Sequence, residues 1–316
     1  MTEPHVNVET ECAESEASVN NRIRQVAWMV IGLLAIFLLG LGSGYPKWGR
    51  DAKSELNVAA LQAQINPVDG YALSVSYGEL GPRMLEGGVF DYEAFAAIYE
   101  NSSNPLSPAQ IEILKSGSEE EIVINAQNAH FLLNFFWAVG LANENSILTQ
   151  GPMVQRSNGQ VGRFASTGGW SLATKPVTEI YASLNLIPLT AEQQKLVETV
   201  AAGIYRPCCD NHTLFPDCNH GMAMLGILEL MASNGASADE MFEAAKYINA
   251  YWFPQQTLET AIYLQVTENT DFASVDARLA VSDRFSSGSG AARVHQDLQA
   301  KGLLPQAPNQ GGSCLN

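Results

Sequence analysis

One loop, residues 205–222, gathers Cys208, Cys209, Cys218, His212 and His220, three of the five cysteines and two of the five histidines in a 316-residue chain. Thiolate sulfur and imidazole nitrogen are the ligands that close a tetrahedral zinc site, and soft sulfur also selects monovalent copper. Asn219 is a suitable N-cap for an apolar run from His220 to Leu230. Cys218 and His220 are therefore expected at the positive end of a helix, where the field favours the thiolate that a metal requires. The first-choice ligands are Cys208, Cys209, Cys218 and His220. His212, His130 and Met222 stand in reserve, the last because a thioether is a further soft donor.

The same residues admit two other chemistries. In an oxidising compartment Cys208 or Cys209 can pair with Cys218 in a plain disulfide that clamps the loop. The adjacent Cys208 and Cys209 can also close a strained ring, which makes thiol–disulfide exchange a second functional reading. Neighbouring cysteines tend to point apart, so the metal reading includes a site of two cysteines, one histidine and another group. Cys12, in an acidic stretch, and Cys314, third from the end, are read as spectators.

Helical patterns flank the loop. Thr190 and Gln193 have capping-box spacing and open a helix from Ala191 to Ile204 that delivers the chain to Cys208. Ser237 and Glu240 repeat that spacing before a helix over 241–253, which Pro254 stops. A further helix is expected over 255–266. Upstream, Ser107 followed by Pro108 signals another helix start. Short helices are expected over 77–86 and 91–100. The most apolar stretch of the soluble part, 122–142, reads as one helix buried nearly all round. His130 shares a face of it with Asn134 and Trp137. Residues 151–176 form the longest irregular segment, with Gly168, Gly169 and Trp170 as a tight turn presenting an aromatic ring.

The N-terminal part has its own character. Residues 1–25 are acidic, lack an aromatic residue before Trp28, and are expected to be disordered. From Val26 to Gly44 there are nineteen residues without a charge, enough for a membrane-spanning helix over 26–45. Trp28, Tyr45 and Trp48 are placed as interfacial anchors. A linker over 46–68, an α-helical domain over 69–285 and a mobile tail over 286–316, rich in Gly, Ser, Gln and Pro, complete the expected layout. No period-two strand pattern persists, so the fold class is mainly α, one N-terminal transmembrane helix followed by a single helical domain.

A formal charge of −16 with only 17 basic residues excludes a nucleic-acid partner, which needs a basic face. No Gly-x-Ser-x-Gly, His-Glu-x-x-His, Cys-x-x-Cys or phosphate-binding glycine loop occurs, and no catalytic residue is assigned. The expected protein is a single-pass component of the cytoplasmic membrane with its domain outside. It binds copper or zinc through the loop, with another membrane or extracytoplasmic protein as a possible partner. A helical interaction scaffold whose loop is merely clamped by a disulfide is the third reading.

Three stretches taken together carry a resemblance: Asn128 to Asn134 with Trp137 to Leu141, then Ser166 to Trp170, then the loop from Cys208 to Leu225. They resemble a family of membrane-anchored microbial proteins over about residues 70 to 266. The resemblance implies an architecture rather than an activity.

Overall fold

The structure, a computed structural model, describes residues 56–305 except 101 and 103. In chain order it contains α1 (Val58–Ile65), β1 (Tyr71–Gly78), α2 (Leu80–Glu86), α3 (Tyr92–Glu100), α4 (Pro108–Lys115), β2 (Ser118–Ile124) and α5 (Ala129–Ala142). Short helical turns fill much of 146–180. They are followed by α6 (Ala191–Ala201), α7 (Asn219–Ser233), α8 (Ala238–Trp252), α9 (Pro254–Tyr263) and α10 (Gly288–Lys301). The fold is mainly helical, as the capping and periodicity signals lead one to expect. The described residues from Asn57 onward belong to one compact unit. The proposed span over 26–45 lies outside the described residues, among which no helix is long and apolar enough to cross a membrane.

The core is built on α5 and α7, the most heavily packed helix pair. Their sequences offer almost no polar face: 12 of the 14 residues of α5 are buried, so a neighbour must cover every side. Two glycines let the backbones touch. A Cβ on Gly140 would lie 2.1 Å from the Met222 carbonyl oxygen, and one on Gly226 would lie 2.8 Å from the Gly140 nitrogen. Neither obstacle is a movable side-chain end, so the helices themselves must separate to admit a methyl group. Gly140→Ala is expected to destabilise the protein by about 1–3 kcal/mol despite alanine's better helix propensity. Urea denaturation of the variant beside the parent measures this; an unchanged midpoint would show that the crossing can relax.

The capping boxes at Ser107, Thr190 and Ser237 all form, each with reciprocal bonds to the residue three positions on. These are local devices, satisfied within one turn of chain.

Several expectations are corrected. First, β1 and β2 form a two-stranded antiparallel sheet pairing Tyr71 with Ile124 and Ser76 with Glu121. Leu73, Val75 and Tyr77 do point inward, but Ser74 adopts φ +55° and the pairing has two irregularities, which blur the alternation. On β2 the residues Glu119 to Glu121 are exposed, and only Ile122 and Ile124 are buried. Those two merge in sequence with the apolar helix that follows, so the run 122–142 is a strand end, a turn and α5 rather than one helix. The expected helix from Tyr77 accordingly begins at Leu80.

Second, the segment read as a mobile tail contains α10. Ser287 caps it by accepting the Gly290 amide, and Gly302 at φ +64° closes it. Gly290 is structural: a Cβ there would meet the Asp283 carbonyl oxygen at 2.3 Å. Third, the linker contains α1, capped by Asn57 and seated on buried Leu61 and Ile65. The last expected helix is also shorter, since α9 ends at Tyr263 and passes into a π turn over Leu264–Glu268.

Near the C-terminal end of α7 lies a carboxyl group no sequence signal marks. Glu229 is fully buried, and its two oxygens accept from Asn143 Nδ2, at 3.1 Å, and from Asn145 Nδ2. Burial pushes its pKa up to about 8, against the opposing effect of the two carboxamides.

Candidate metal and thiol site

The loop between α6 and α7 is anchored on the body of the protein at several points. Thr213 N donates to the Ile204 carbonyl at 2.8 Å, its hydroxyl donates to the same oxygen at 3.1 Å, and Tyr205 bridges to His212. Asn249 of α8 donates to the Tyr205 carbonyl. On the far side, the start of α10 holds the cysteine pair: Gly288 N donates to the Cys209 carbonyl at 2.8 Å and Ser289 N to Asp210 Oδ1 at 2.7 Å. The Ser166 amide donates to the Asp217 carbonyl, and Trp137 donates to the Ser166 carbonyl. The irregular segment over 151–176 thus braces the loop, and Trp170 is buried against Trp137 rather than presented to solvent.

Arg206 organises what lies inside. Its side chain is 1% exposed. Nε donates to Cys218 Sγ at 3.0 Å and one terminal nitrogen to the Asn211 carbonyl at 2.8 Å. The other donates to the Phe215 carbonyl at 3.1 Å and to Asp217 Oδ1 at 2.7 Å. A planar fork with five N–H donors can serve four acceptors at once; a lysine cannot. The guanidinium lies against the backbone of Gly221, where a Cβ would come within 2.5 Å of it. Glycine after His220 is therefore the condition for this arginine.

Around that arginine the three cysteines converge. The sulfurs of Cys208, Cys209 and Cys218 all lie within 4.8 Å of one another, and Cys208 and Cys218 are 3.4 Å apart. Cys208 is exposed and the other two are half-buried. Asn219 begins α7, but the cap is Cys218, whose sulfur accepts the Gly221 amide at 3.4 Å. Cys218 consequently receives more donors than its neighbours. Hydrogen bonds from Cys208 and Cys209 lower its pKa most. The Arg206 charge and a hydrogen bond from His220 add to them against the opposite pull of burial, and the thiol sits well below its usual range. Cys208 is pushed up through its bonds to Cys209 and Cys218. For Cys209 the bond with Cys208 lowers the pKa, but Cys218 and burial outweigh it, to about 11. Of the three thiols, Cys218 is the one whose surroundings favour the thiolate.

The other sequence-derived candidates are placed differently. His220 is buried, with its ring between Trp252, at 5.6 Å, and Phe253, at 4.5 Å, while it bonds Cys218. His212 packs edge-on to Tyr205, and burial followed by the charges of Arg206 and Arg156 lowers its pKa. Met222 is in the core at the α5–α7 crossing. His130 bonds Asn134 at 3.3 Å, and Asn134 in turn donates to the Tyr99 hydroxyl. Among the described residues, the cluster of three or more metal-ligating side chains is formed by the cysteines alone.

Sequence reading missed Arg206, Asp217 and Gly221. Arg206 had a signal: a basic residue two positions before a cysteine pair, in a chain poor in Lys and Arg, invites a search for its anionic partner. Asp217, directly before Cys218, is that partner.

Chemically, three sulfurs this close can share one soft ion, since a tetrahedral zinc–thiolate edge is roughly 3.8 Å. They can equally form a disulfide after a closure of about 1.4 Å between Cys208 and Cys218. Fold and site together define a mainly α-helical protein with a three-thiol cluster at a helix N-terminus. No family model, no curated protein and no solved structure matches the chain.

Proposed function

We propose that the protein captures a soft metal ion, copper or zinc, in the cluster of Cys208, Cys209 and Cys218, and presents it for hand-over from an anchored position outside the cytoplasmic membrane. The observation that carries this reading is the convergence of three sulfurs within 4.8 Å, one of them exposed. An open edge at Cys208 suits a site that must release its ion, whereas a purely structural site is closed by four protein ligands. The uncharged stretch from Val26 to Gly44 supports the anchor.

The test is elemental analysis of the full chain purified in detergent under reducing conditions. We expect one equivalent of copper or zinc per chain. The ion should be lost in Cys218→Ser and held more weakly in Cys208→Ser, whose exposed position spares the fold. A preparation that takes up neither ion, with all three thiols free, would overturn the reading.

A second reading, thiol–disulfide exchange, is favoured by the 3.4 Å separation of Cys208 and Cys218 and by the stabilised thiolate of Cys218. Free-thiol counts before and after mild reduction separate the two. Exchange chemistry predicts two thiols that appear on reduction and vanish with an oxidised dithiol, with no effect of chelators.

A further inference from the structure

Among the described residues, the three sulfurs are not joined by a fourth metal-ligating side chain, and from this we infer that the cluster selects monovalent copper, bound by three thiolates, over divalent zinc. The inference rests on the metal-binding reading above and names the ion for that same site.

Zinc in a stable protein site takes four ligands, and soft thiolates are also the donors that select monovalent copper, which three sulfurs can satisfy. The question is then what else near the cluster can reach a metal. One carboxylate lies close by, that of Asp217, whose Oδ1 is 3.8 Å from Cys209 Sγ. Both its oxygens are already engaged. Oδ1 accepts from Arg206 at 2.7 Å, and Oδ2 accepts from Asn211 Nδ2 at 2.8 Å. Turning Asp217 toward a metal would strip a buried guanidinium of its counter-ion, a costly exchange.

The imidazole that touches the cluster is His220, which is 2% exposed and hydrogen-bonded to Cys218. It is confined by the rings of Trp252 and Phe253, and its hydrogen bond goes to the Cys218 sulfur. Its nitrogens are not in the group of ligand atoms that lie within 4.8 Å of one another. His220 therefore supports a ligand and is not one. For zinc the fourth position is left to solvent at the exposed Cys208 edge.

The surroundings also suit the charge of the copper complex. Three thiolates around a monovalent ion leave a net negative charge, and one of the three sulfurs, Cys218 Sγ, sits at the start of a 15-residue helix. That sulfur accepts from Arg206 Nε at 3.0 Å and from the Gly221 amide at 3.4 Å. Donors of this kind, aimed at a sulfur ligand, orient it and stabilise its charge. Arg206 is thus a positioning residue for the metal site.

The experiment titrates the reduced full chain in detergent with monovalent copper stabilised by acetonitrile, then adds zinc in about 100-fold excess, an offset of roughly 2.7 kcal/mol by mass action. X-ray absorption at the copper edge reads the ligands. We expect one copper per chain, retained against the zinc, in a shell of three sulfurs without nitrogen or oxygen. In Cys208→Ser the shell drops to two sulfurs. In Arg206→Lys copper affinity falls by about 10- to 100-fold while the three-sulfur shell remains. Displacement of copper by zinc, or a fourth nitrogen or oxygen ligand, overturns the copper assignment and leaves metal capture standing. Binding of neither metal overturns metal capture itself.

Discussion

Replacing Arg206 by methionine is expected to cost about 3–5 kcal/mol of stability, the range for removing one partner of a buried ion pair. The reason is the accounting of acceptors. The substitution leaves Asp217 without its cation and deprives the Asn211 and Phe215 carbonyls of their donors in one step. Methionine fills a similar volume, so the loss is electrostatic and hydrogen-bonding rather than a cavity. Urea unfolding followed by far-ultraviolet circular dichroism measures it. Asp217→Asn should cost clearly less, because an amide oxygen still accepts from the guanidinium. Equal midpoints for Arg206→Met and the parent would mean that the loop is held by its backbone contacts alone.

The second large effect is a dependence of stability on pH set by Glu229. Its pKa in the folded protein is raised to about 8 from the ordinary glutamate value of 4.5, with burial as the leading cause. Between those values the folded protein holds a proton that the unfolded chain has released. Stability therefore falls as pH rises, by about 1.4 kcal/mol per pH unit from this group and about 5 kcal/mol at most across the window. The contribution is complete below pH ~4.5, and the loss is complete above pH ~8. Glu229→Gln removes the titrating group. The difference in unfolding free energy between parent and variant should then shift steadily in favour of the variant from pH 5 to pH 8. A difference constant over that range would mean that Asn143 and Asn145 keep Glu229 ionised throughout.

Much of the helical plan was legible in residues a few positions apart. Ser107, Thr190 and Ser237 act on the backbone three residues away, so their meaning does not depend on the rest of the chain. The near-complete burial of α5 was equally visible, because a helix without a polar face has to be covered on all sides. The strands were not legible. Ser74 breaks the alternation of β1, and the glutamates of β2 make a half-buried strand look like a charged turn. Nor was α10, whose opening glycines and serines resemble a linker until the contact of Gly290 with the Asp283 carbonyl is known.

The cysteine loop divides along the same line. Its donor types could be named from the sequence, because sulfur keeps its affinity for soft ions wherever the chain puts it. Which of seven candidates converge was decided by packing. His220 was held between Trp252 and Phe253 as a hydrogen-bond partner of Cys218, His130 was paired with Asn134 within α5, and Met222 was taken into the core. Arg206 and Gly221, fifteen residues apart, were brought into contact beneath Cys218. By itself, then, the sequence determined the helical character of the domain and the soft chemistry of its loop, since both follow from side-chain identity and short-range spacing. The tertiary structure decided the geometry of the site, because a buried arginine can gather distant acceptors only after the helices around it have closed off the water.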